Sequence, residues 1–184
     1  MGASLAGERN MGTQRIYLSD EPILRKKAKK VRQFDGLQEL VDDMVETLHA
    51  ANGVGLAAPQ IGVPRRIIVV QLPEDFEEPE AGRLFVMINP EIVEASEDQE
   101  IDDEGCLSVP GFVGEVPRAT AISLRAQNVR GKPFRFEASG YLARVCQHEI
   151  DHLDGVLFID RVTAPEKLRK LTKAGEEAPI EPAV

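Results

Sequence analysis

The chain has 184 residues, of which 42% are hydrophobic and 29% charged, and a formal net charge of −9 at pH 7. This balance predicts one globular domain with a true core, and the acidic excess argues against nucleic acid as the main ligand without excluding a local basic patch. No run of about 18 apolar residues occurs, so no membrane span is expected; two cysteines without an export signal point to a reduced cytoplasmic compartment, with the cysteines as ligand or core.

Residues 1–14 are small and polar and read as a flexible tail; Ala6 breaks the myristoylation pattern that Met1-Gly2 could open. Residues 15–174 read as the single domain, and 175–184 as an acidic, proline-containing flexible tail. Arg25 to Arg32 is a basic run, read as a solvated segment rather than a partner site. Asp35 and Gln38 mark a helix start, and Leu37, Leu40, Val41, Met44, Val45 and Leu48 recur at helical spacing, predicting an amphipathic helix over 36–50. His49 near its end has no partner at metal spacing. Asn52 to Gly62 follows, with glycines at 53, 55 and 62 and a lone amide, Gln60. It has neither the lysine of a P-loop nor dinucleotide-binding glycine spacing. It reads either as a glycine-lined wall against which a peptide-like substrate lies, or as an ordinary helix-to-strand turn.

Arg66 to Leu72 reads as a strand, Pro73 to Gly82 as an acidic loop, and Leu84 to Asn89 as a strand ended by Pro90. The acidic run Ser96 to Glu104 reads as a loop or hairpin turn. Thr120 to Ala126 and Lys132 to Ala138 form a strand pair around Asn128 to Gly131. Near the end, Thr163 and Glu166 have capping-box spacing and predict a short helix bearing Lys167, Arg169, Lys170 and Lys173. The resulting fold class is α+β: mostly antiparallel strands packed around a central metal-binding helix, with an N-terminal and a short C-terminal helix.

That central helix, expected over 140–154 between Ser139 as N-cap and Gly155, carries His148-Glu149-Ile-Asp-His152. At about 100° per residue, His152 lies only about 40° around from His148 and one turn on, so both imidazoles can share a metal. Glu149 lies beside them, poorly placed as a ligand but able to reach a metal-bound water; this is the layout of metal-assisted hydrolysis. Catalytic metal sites keep three protein ligands and one open position. No downstream acid or histidine supplies the third. Cys146 falls about 160° from His148 and faces away, toward the core. Cys106, after Gly105 in a loop-like segment, is free to approach, and a thiolate beside a divalent metal loses its proton readily. The candidate ligands are therefore Cys106, His148 and His152, with water in the fourth position. Tyr141 and Val145 lie on the same helical stripe and, with Val54, line an apolar pocket or simply pack in the core.

Three motifs occur together and in order: Gly53-Val-Gly-Leu-Ala-Ala-Pro-Gln60-Ile-Gly62, Glu104-Gly-Cys-Leu-Ser108 and Gln147-His-Glu-Ile-Asp-His152. In these the chain resembles the bacterial-type peptide deformylases, from about Ile16 to Lys173. The resemblance implies removal of the formyl group from the N-terminal formylmethionine of newly made polypeptides, with release of formate and typically with Fe2+. Zn2+ suits the same ligands. It implies that metal-bound hydroxide attacks the formyl carbon, that Glu149 is general base and then acid, and that Gln60 and the Leu107 backbone N–H hold the oxyanion. It further implies that Gly55 offers backbone to the substrate and that Glu104 and Arg118 pair behind the Cys-bearing loop. Expected partners are N-formylmethionyl peptides and nascent chains, with a monomer as the expected state and a transient ribosome contact open for the basic C-terminal helix. Gly111-Phe-Val-Gly-Glu115 lacks the arginine that some members place there, which leaves the grip on the substrate backbone open. A metallopeptidase, an inactive binding relative and a structural zinc site are the alternatives. Cys106 argues against the first, the intact Glu149 and ligands against the second, and a ligand count of three against the third.

Overall fold

The computed structural model describes residues 12–171, together with the backbone of 177–179. Helix α1 (Leu37–Ala50) forms as its periodicity predicts, burying Leu37, Val41, Met44 and Leu48 on one face. Three short residues' worth of strand β1 (Gly55–Ala57) leads through a 3-10 turn (Ala58–Ile61) to β2 (Ile67–Gln71). Strands β3 (Leu84–Ala95), β6 (Ala121–Gln127) and β7 (Pro133–Ser139) complete an antiparallel sheet of order β1-β2-β3-β6-β7. A second antiparallel sheet has the order β4-β5-β8-β9, from β4 (Gln99–Cys106), β5 (Val109–Ala119), β8 (Leu168–Leu171) and β9 (Glu177–Pro179). Helix α2 (Gly140–Leu153) is the expected central helix. It is buried on nearly every side, with Leu142, Ala143, Val145, Cys146, Ile150 and Leu153 among its buried residues.

Four sequence expectations need correction. Strand β3 does not end at Pro90. Asn89 adopts φ 52° and a register shift separates Ile88 from Glu91, so a bulge absorbs the proline that cannot donate to the ladder. The Asn89 side chain holds this bulge by bonding Val31 N–H and C=O at 2.7 and 2.9 Å. The acidic run through Glu104 is a strand, β4: Gln99 to Asp103 are exposed on both faces, and Glu104 turns inward onto Arg118 and Arg144. The short C-terminal helix is absent: Pro165–Lys167 make a single 3-10 turn, and Leu168–Leu171 pair with β5 through Phe112, Val113 and Gly114. Backbone pairing to an open edge outweighs the local capping signal there, and the premise for a ribosome-facing helix goes with it; Lys173 lies outside the described residues. Finally, the Gly12 N–H donates to Asp43 at 3.0 Å and the Gln14 N–H to Thr47 at 2.9 Å, so the last residues of the expected tail dock on α1. Residues 1–11 and 180–184 lie outside the described residues, as does most of 172–179.

Candidate active site

A cleft of about 410 Å³ opens between the two sheets and is floored by α2. Three separate stretches meet in it: the glycine-rich turn before and within β1, the end of β4 with the turn after it, and the stripe of α2 carrying Tyr141, Val145, His148 and Glu149. Cys106, His148 and His152 bring one ligand atom each to within 4.8 Å of one another, the one such group of His, Cys, Asp and Glu among the described residues. Cys106 Sγ stands 3.2 Å from His152 Nε2. The other ring nitrogen of His148, Nδ1, is 2.9 Å from Glu104 Oε2, which leaves Nε2 facing the cleft. A thiolate and two imidazoles converging from two elements, one a rigid buried helix, fit a divalent transition metal.

Glu149 follows His148 on α2 and is only 4% exposed. Its Oε2 is buried with no hydrogen-bond partner among the described residues. Burial, with the Glu104 and Asp151 charges, pushes its carboxyl up to about 7 against the pull of His148 and Arg118. Gly55 explains how the carboxylate fits. A Cβ at that position would overlap Glu149 Oε1 and lie 2.9 Å from its Cγ. Only glycine lets β1 pass this close to α2.

Gln60 is fully enclosed and its amide is oriented by neighbours. The Ala57 N–H donates to Oε1 at 2.8 Å, so Nε2 points the other way, donating to Ser108 Oγ at 3.1 Å and lying 3.7 Å from Cys106 Sγ. Leu107 lines the cleft beside it, as do Val54, Gly55, Tyr141 and Val145. Tyr141 is half-buried with its ring 5.3 Å from that of Phe76. Cys146 is fully buried, and burial pushes its thiol up to about 12, so it is core, as its helical angle predicts.

Behind the ligands lies a charge network. Arg118 donates to both oxygens of Glu104, at 2.8 Å each, in a bidentate pair. The pairing expected of Glu104 and Arg118 is therefore present, but it is larger than the sequence reading drew it. Arg144 also donates to Glu104, at 3.0 Å, and Arg118 reaches Asp151 at 2.6 Å. Burial alone would raise Glu104, but hydrogen bonds from Arg118 and His148 outweigh it and bring its carboxyl down to about 2. Arg144, Asp151 and Ser108 escaped the sequence reading. Asp151 and Ser108 stand inside two of the quoted motifs, which was the available signal; Arg144 gave none.

This arrangement fits a metal-assisted hydrolase: three candidate ligand atoms, two from a buried helix and one from the end of β4, a raised carboxyl beside them, and an oriented amide across the cleft. Comparison with known proteins is specific. Residues 13–168 match the family model of polypeptide deformylase. The peptide deformylase of Thermomicrobium roseum is 47% identical over 169 residues, covering 91% of this chain and 96% of that protein. That of Symbiobacterium thermophilum is 50% identical over 168 residues, 91% of this chain and 73% of its own. Among solved structures, the Thermotoga maritima peptide deformylase shares 42% identity with a TM-score of 0.76, covering 83% of this chain and 99% of that one. A Met-Ala-Ser-bound class I type b peptide deformylase from Acinetobacter baumannii shares 35% with a TM-score of 0.77, over the same proportions. The chain belongs to the polypeptide deformylase family, a family of hydrolases.

Proposed function

We propose that this protein removes the formyl group from N-terminal formylmethionine of nascent polypeptides in the cytoplasm, using a metal held by Cys106, His148 and His152. The observation that carries the reading is Glu149, a buried carboxylate with a free oxygen beside three convergent ligand atoms. Fe2+ is the ion proposed, with Zn2+ compatible with the same donors. When bound, such an ion supplies Lewis acidity that polarises a carbonyl and lowers the pKa of water.

Glu149 takes a proton from the attacking water as oxygen adds to the formyl carbon. It then delivers that proton to the departing nitrogen as the C–N bond breaks, giving formate and a free amine. The raised affinity of its carboxyl for a proton supports both roles. Gln60 Nε2 and the Leu107 N–H hold the developing oxyanion. Support for Gln60 is that Ala57 and Ser108 fix its amide before substrate arrives, so little reorganisation is needed. Val54, Tyr141 and Val145 take up the methionine side chain, while Gly55 presents backbone to the first peptide unit. Glu104, held by Arg118, fixes the tautomer and angle of His148.

Metal analysis tests the ligand set. Cys106→Ser, His148→Ala and His152→Ala are each expected to purify with far less tightly bound metal than the parent. Chelation should abolish formate release, and Fe2+ added without oxygen should restore it. Full metal retention by all three variants would overturn the assignment.

A further inference from the structure

The cleft continues past the ligands onto the second sheet. Gly105 pairs with Val113, and Val113 with Arg169, so these three form one row across β4, β5 and β8. By the two-residue alternation of strands, Asp103, Val113 and Leu171 share that row's face. Two ion pairs, Arg169 with Asp103 and Lys167 of the preceding turn with Glu115, tie β8 and its entry to β4 and β5. Beside these charges, toward the end of β8, Val113 and Leu171 are diagonal neighbours that make an apolar spot, and both line the cleft. Leu171 is 40% exposed, one of few large apolar side chains left open to water among the described residues. Two strand spacings and two residues' rise put it about 12 Å from Gly105, close to the span of three extended residues.

We infer that Leu171, with Val113, forms an apolar subsite for the side chain of the third residue of the formylated peptide. The inference rests on the deformylase reading and adds a specificity element from the last strand. The apolar side chain of a substrate leucine would cover Leu171 and Val113, while serine leaves them wet.

The test compares formyl-Met-Ala-Leu with formyl-Met-Ala-Ser on metal-loaded parent, Leu171→Ser, Leu171→Met and the remote exposed control Leu84→Ser. The parent should favour the leucine peptide in kcat/KM by about fivefold. That ratio should fall below about twofold in Leu171→Ser and survive in Leu171→Met and Leu84→Ser. A ratio cancels losses of folded or metallated protein. Calorimetric binding of the products Met-Ala-Leu and Met-Ala-Ser should show the same preference and its loss. An unchanged ratio in Leu171→Ser, or an equal collapse in Leu84→Ser, overturns the subsite. Absence of formate from both peptides would instead contradict the deformylase reading, with product binding still reporting on Leu171.

Discussion

Glu149 and Gly55 show how one missing side-chain atom sustains another residue's chemistry. Gly55→Ala would push the Glu149 carboxylate out of position, since its Cβ has no room beside Oε1. The expected result is a fall in kcat of about a hundredfold, with the melting temperature little changed; unaltered turnover would show that the carboxylate tolerates displacement. Gln60→Ala should cost about 3 kcal/mol in the barrier, read as lower kcat at similar KM. A change in KM alone would make Gln60 a substrate-binding group only. Both positions stood in the sequence as part of a glycine-rich stretch with two open readings. What could not be seen there is the partner of each: Glu149 lies 94 positions beyond Gly55, and Ser108 48 beyond Gln60, and only the fold closes those distances.

At the scale of elements, α2 is tied to the second sheet by Glu104, Arg118, Arg144 and Asp151. Because Glu104 titrates at about 2 when folded, below its unfolded value, its contribution is fully present above about 4.5. It is lost as pH falls from there to about 2, and amounts to at most about 3 kcal/mol. Denaturant midpoints measured from pH 6 to 3 should fall in the parent, and fall less in Glu104→Gln. Arg118→Met leaves two buried carboxylates short of a partner and should destabilise by about 3–5 kcal/mol. Beyond the helix, Gly155 has φ 76° and would place a Cβ 2.8 Å from the Arg25 backbone carbon. Gly155→Ala should therefore lower stability by more than about 1 kcal/mol. The helices α1 and α2 and the β6–β7 hairpin were legible because their apolar periodicity and turn residues are local signals. Strand β4 was not, since Asp102 and Asp103 point to opposite faces and are both exposed, so the stretch has no apolar alternation and only its pairing with β5 makes it a strand. Strand β8 was not either, because its only warrant is the free edge of β5, and its own residues favour a helix.

The whole molecule is an acidic shell around two small sheets and one buried helix. Its large exposed apolar residues among those described, Leu18, Phe76, Leu84, Ile101 and Leu171, sit on five different segments. No element among them gathers a broad apolar face, so we expect a monomer near 20.2 kDa by light scattering; a mass twice that would contradict it. The family was legible from three motifs alone, because the chemistry needs those residue types and the fold sets their order and spacing. The division into two sheets was not, since it depends on which strand edges meet. The proposed deformylation depends on Glu149 acting on water beside a bound metal to release formate. The most direct test is formate release from formyl-Met-Ala-Ser by protein purified without oxygen, with Glu149→Ala alongside and bound metal quantified in both. Release by the parent, falling at least about a hundredfold in the variant at equal metal content, is the predicted result. No release from a fully metallated parent that nonetheless cleaves an unformylated peptide would contradict the account and leave a peptidase in its place.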